Sequence, residues 1–154
     1  MHADLWRFTL DFYAKPGIEA ACLSLQASGA NVCLLLCGVW LMRRDVACNA
    51  QRVLEIGQLA TPWHDDVVRP LRELRMQWRN AAQDDPALSS LRERVKVLEL
   101  EAERELLTRL EALTQGWSAT GTRDQKDWLA LLAGDAANRN RDALHVLRVA
   151  ANQT

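Results

Sequence analysis

The chain is poor in the residues that build sheets and has no apolar run long enough to cross a bilayer. β-Branched residues are sparse while Ala, Leu, Arg, Glu and Gln abound, so helix is favoured over strand along almost all of its 154 residues. The longest apolar run, the eleven residues of Val32–Met42, makes a helix of only about 16 Å, whereas a membrane span needs about 20 such residues. Net charge is nearly absent at −1, which leaves no overall basic footprint for nucleic acid. No Gly-rich phosphate loop, Gly-x-Ser-x-Gly turn or Glu-x-x-His di-iron pair occurs. The opening stretch MHADLWRFTLDFYAKP lacks the basic leader of a secretory signal, so a cytoplasmic protein that does not enter a membrane is expected.

What is present describes a helical globule. Apolar residues make up 49% and charged residues 25% of the chain, ordinary values for a folded domain. Six Trp stand against one Tyr and two Phe. The four cysteines, Cys22, Cys33, Cys37 and Cys48, all fall in the first third. Cys33 and Cys37 share a helical face, but the short paired clusters of a zinc site are missing, so buried reduced thiols are expected and neither metal nor cofactor.

Apolar spacing and capping residues predict the helices. Asp4 caps a first helix to Lys15, ended by Pro16, which suits the first turn of a second helix with Glu19 at its positive end. Asn31 caps a central helix that closes near Arg43-Arg44, and Gly38 within it marks a close approach by another helix. A fourth helix is expected over 47–60. Thr61-Pro62 then reads as the start of a fifth, with a kink or restart at Pro70. Pro86 opens a long amphipathic helix to about Gln115, with Leu88, Leu91, Val95, Leu98, Ala102, Leu106, Leu110 and Leu113 in helical period. Thr122 and Gln125 form a capping box for a helix to about Leu132, and a last helix spans 135–150. The fold class is all-α, a multi-helix orthogonal bundle with one long amphipathic helix.

The residues with chemical potential are few. His64-Asp65-Asp66 resembles the His-Asp pairs of metal-dependent phosphohydrolases built on helical bundles. Those sites need further histidines, however, and only His2 and His145 remain, so no metal or catalytic residue is assigned. Asp65 and Asp66 are explained as first-turn acids of the helix begun at Pro62. The strongest binding signal is Arg69, Arg72, Arg75 and Arg79, spaced three, three and four beside the apolar stripe Val67, Leu71, Leu74 and Trp78. Guanidinium forks suit phosphate and carboxylate alike. The competing reading is a solvated face pairing with Glu99, Glu101, Glu103 and Glu105 on the long helix. Nucleic acid is disfavoured because no aromatic platforms interleave the arginines. With Trp63 and Trp78, the arginines form a candidate surface for an unidentified protein partner or a second copy of the chain. The alternative is a helical domain binding a small anionic amphiphile.

Three stretches, LWRFTLDFYAKPGIEAACLSLQ at 5–26, ANVCLLLCGVWL at 30–41 and PWHDDVVRPLREL at 62–74, resemble a bacterial family of small conserved proteins of unknown function, found mainly in proteobacteria. The resemblance covers roughly residues 5–80, weakens along the long helix and ends near 116. It implies a family-like helical core over 1–82, followed by a C-terminal helical extension over 83–154 packed into the same globule. In that family Asp commonly stands where this chain has Asn31, and Asn where it has Cys33. Trp6, Pro16, Gly17, Glu19, Trp63 and Pro70 belong to the implied framework. The resemblance supplies no activity or cofactor.

Overall fold

Short polar side chains start most of the helices. The computed structural model describes residues 4–117 and 127–153. Asp4 accepts the Trp6 N–H at 2.9 Å and opens α1 (Leu5–Tyr13). Pro16-Gly17 then makes a turn rather than the first turn of a helix. Gly17 sits at φ +83°, a left-handed conformation natural to glycine, so α2 (Ile18–Ala27) begins only at Ile18. Asn31 caps α3 (Val32–Arg43) through Cys33 N–H at 3.1 Å. Asn49 opens α4 (Ala50–Trp63) by accepting the Arg52 N–H at 2.9 Å.

No helix starts at Pro62, contrary to expectation. α4 runs through Pro62 into a π turn (His64–Val68), and α5 (Arg69–Gln77) follows without a break. Pro70 explains the turn, since its ring and missing N–H oppose a tight α ladder to the residue four before it. Asp65 and Asp66 therefore do not sit at a helix N-terminus. Asp65 instead pairs with His64 Nδ1 at 3.3 Å and Arg69 Nη1 at 3.6 Å.

A short 3₁₀ turn (Ala81–Gln83) leads to Asp85, which caps α6 (Pro86–Thr114) through Ala87 and Leu88 N–H. The capping box at Thr122 and Gln125 lies outside the described residues. α7 (Trp128–Ala133) is capped by Asp127. The single last helix expected over 135–150 is two, α8 (Ala136–Arg139) and α9 (Arg141–Asn152). Asn140 breaks them because its side chain has other partners: Oδ1 accepts the Ala143 N–H, and Nδ2 donates to Ser24 Oγ at 2.6 Å.

The fold is all-α, and α3 is its spine. Every residue from Cys33 to Leu41 is buried, as a helix apolar on all sides requires. Around it gather Phe12, Leu25, Ile56, Leu107, Leu129 and Leu147, from six different helices, each such burial stabilising by roughly 1.5–3 kcal/mol. Gly38 meets α7 closely, since a Cβ there would lie 2.9 Å from Leu132 Cδ1 and 3.6 Å from Trp128 Cβ. The α5–α6 hairpin is thinner. No residue of α5 is fully buried, and the buried residues of α6 begin only at Val95. No described helix is long and apolar enough to cross a membrane.

Candidate functional site

The helical period of α5 turns its inner arginines onto α6. Arg72 Nε donates to Glu99 Oε2 at 3.1 Å, while Arg75 donates through Nε at 2.6 Å and Nη2 at 3.3 Å. Glu99 is only 6% exposed. Burial opposes its charge, but the Arg75 hydrogen bond and the two guanidiniums outweigh that and hold its carboxyl below the usual range. Arg92 Nε closes the cluster on the Arg75 carbonyl at 2.8 Å. Arg69 and Arg79 stay exposed, Arg69 within reach of Asp65 and Glu73. The four arginines therefore do not converge.

The two tryptophans are likewise separate, roughly 20 Å apart by helical rise. Trp63 donates its indole N–H to the Ala102 carbonyl at 2.9 Å and carries the Arg109 guanidinium 4.0 Å above its ring. Trp78, half-buried, ends α5. Trp128, by contrast, is core: it is 3% exposed and donates to the Val46 carbonyl.

A cleft of about 230 Å³ opens between α1 and α6 over a floor from α2 and α3. Trp6, Thr9, Leu10 and Tyr13 recur at helical spacing to form one wall. Leu100, Glu103 and Leu107 form the other, with Gln26, Val32, Cys33 and Leu36 beneath. The Leu5 N–H donates to the Glu111 carboxylate and ties the two walls together at one end. Thr9 is 7% exposed, and its Oγ1 is buried without a hydrogen-bond partner among the described residues. Burial pushes the Glu103 carboxyl up to about 7; Arg72 and Arg75 oppose this and Glu99 adds to it. Burial also raises Tyr13 to about 12, helped by Cys22, Glu19 and Glu103.

A second concavity of about 250 Å³ lies beside the π turn, where Thr61, His64, Asp65 and Arg69 face Asn31 and Leu132. His64 Nε2 is buried there without a described partner. Among the described residues no three His, Cys, Asp or Glu side chains gather as metal ligands.

Fold and clefts together define a small all-α protein with an open helical hairpin on one side and a partly polar cleft on another. The chain belongs to the family described as "Protein of unknown function (DUF2390)", which matches it over residues 4–110. No curated protein and no solved structure matches it.

Sequence reasoning found the first helix but no cleft on it, although its period sets Trp6, Leu10 and Tyr13 on one face, and it passed over Thr9. The available signal was the Trp6, Thr9, Tyr13 recurrence, a threonine set among aromatics on a helical face. Glu103 was legible only as a possible arginine partner.

Proposed function

We propose that the protein is a non-enzymatic, cytoplasmic protein-interaction module whose docking arm is the α5–α6 hairpin. The observation that carries this reading is a two-helix arm with no fully buried residue in α5 and with half-exposed Leu91 and Leu98 on α6, at 46% and 50%. Seven residues apart, these leucines share one flank of the helix, and such a flank gains by being covered. A second copy of the chain is the occupant best suited to it, since acids and bases are mixed along α6, as in Glu93, Arg94, Glu101 and Arg104. Self-pairing across a two-fold axis brings such opposite charges together. Arg69, Arg79 and Trp78 would sit at the rim, while Arg72 and Arg75 support the arm through Glu99.

Multi-angle light scattering at micromolar concentration tests this, with wild type compared to Leu91→Glu/Leu98→Glu. The expected result is a dimer that becomes a folded monomer in the variant. A wild-type monomer, or a dimer indifferent to both substitutions, overturns the self-docking reading.

A second reading, a domain holding a small molecule, is favoured by the α1–α6 cleft. Its lining supports an anionic ligand poorly, because no guanidinium or ammonium group of the described residues contributes to it.

A further inference from the structure

The cleft between α1 and α6 combines three properties that a mere packing gap lacks. Its lip is apolar, with Leu10 and Leu100 51% and 53% exposed. Below the lip lies the Thr9 hydroxyl, more than nine-tenths buried and without a described partner. On the opposite wall stands Glu103, the one carboxyl side chain of the lining among the described residues. We propose that this cleft binds a small organic cation, a protonated amine on a compact apolar body, with Glu103 as counter-ion and Thr9 as the second polar contact.

The chemistry follows from the walls. An ammonium N–H is the donor that both a carboxylate and an unmet hydroxyl oxygen accept. Trp6 and Tyr13 add aromatic rings, whose faces attract cations. The Trp6 ring already holds the Arg104 guanidinium 5.3 Å from its centroid. The leucines of the lip and wall suit a short alkyl or aryl group. At about 230 Å³ the cleft falls below the ~300–1,000 Å³ typical of sites for drug-sized ligands, so the ligand is small.

Binding is coupled to a proton. Burial lifts the Glu103 carboxyl to about 7, and a cation selects its ionised form. The groups facing it are Tyr13 from α1, Cys33 from α3, Arg72 and Arg75 from α5 and Glu99 from α6 itself; Cys22 and Glu19 of α2 act on Tyr13. Both guanidiniums hydrogen-bond Glu99 rather than Glu103. Between pH 8 and pH 6 the ionised fraction of such a group falls from about nine-tenths to about one-tenth, so cation affinity falls about tenfold. An alkylammonium keeps its charge throughout, with a pKa near 10.

Calorimetric titration of the full chain tests the proposal, with phenethylammonium, 2-phenylethanol and 3-phenylpropionate as probes at pH 6 and pH 8. Expected at pH 8 is ammonium binding at least tenfold tighter than the alcohol, weakening about tenfold at pH 6. Glu103→Gln should abolish both the preference and the pH step. Thr9→Val should weaken ammonium binding several-fold and keep the pH step. Tighter phenylpropionate binding, equal affinity for alcohol and ammonium, a pH-independent ammonium affinity, or no ammonium binding at millimolar concentration each overturns the assignment. If Glu103→Gln fails to fold, the wild-type pH profile and Thr9→Val decide. None of these readouts depends on pairing of two copies through Leu91 and Leu98.

Discussion

Replacing Glu99 with Gln removes one negative charge from between two guanidiniums while keeping the size of the side chain. The wild-type carboxylate accepts from Arg72 Nε and from Arg75 Nε and Nη2, with Glu99 itself nearly excluded from solvent. Hydrogen bonds to charged groups contribute roughly 1.5–3 kcal/mol each, and the amide oxygen of Gln retains part of that. The arginine side chains are 14% and 24% exposed, so solvent recovers a further share. The expected loss is about 2 kcal/mol, or about 4–8 °C in Tm at this chain length. The pH dependence is signed. The folded-state pKa of Glu99 is lowered, so its stabilisation is complete above the ordinary carboxylate value near 4.3 and disappears as pH falls through the folded value. Thermal denaturation followed by circular dichroism should therefore show the full gap between wild type and variant at pH 7, closing below about pH 4. A variant Tm within about 1 °C of wild type at pH 7, or a gap that persists in acid, refutes the reasoning.

Glu103→Gln should act with the opposite sign. Its folded pKa is raised to about 7, so wild-type stability declines as pH rises from the ordinary carboxylate range to 7, and the variant should gain at pH 8 but not at pH 4. One pKa unit corresponds to ~1.4 kcal/mol, which bounds the gain at about 3 kcal/mol, read from urea denaturation at the two pH values. Gly38→Val should cost about 1–3 kcal/mol in the same assay through overpacking against Leu132 and Trp128. Gly38→Ala should stay near neutral, because about 1 kcal/mol of helix propensity offsets a shift of the mobile Leu132 terminus. Burial pushes the Cys22 and Cys37 thiols up to about 12 and raises Cys33 as well. Iodoacetamide at pH 8 should alkylate these three at least a hundredfold more slowly in native than in urea-unfolded protein, and comparable rates would show that the core opens freely.

Elements specified by local chemistry were readable from the sequence. Asp4 and Asn31 each cap the helix they were expected to open, the long helix begins at Pro86 as expected, and Gly38 lies where α7 approaches. The errors arose where tertiary partners overrode a local signal. Thr61-Pro62 has the form of a helix start, yet the packing of α4 and the looser π geometry carry the chain through it. Asn140 sits in a helix-compatible run, but its bonds to α2 and to the start of α9 stop α8 early. The Arg72–Arg75–Glu99 cluster was legible as one of two alternatives because the arginines step at helical period and the long helix offers several glutamates opposite them. The cleft was not, since Thr9 and Glu103 are far apart in the chain and only helix packing makes them neighbours.

The π turn also constrains how this chain can vary in length. An α-helix turns about 100° per residue and a π turn takes up one residue more than an α turn, so restoring α geometry over His64–Val68 without removing a residue would rotate all of α5 by roughly that angle. Arg72 and Arg75 would swing off Glu99, although every side chain in the hairpin was unchanged. The five residues thus act as a phase adjuster between a rod segment seated on the core and one seated on α6. Substitutions within them are judged one side chain at a time. An insertion or deletion is judged by the whole arm beyond it.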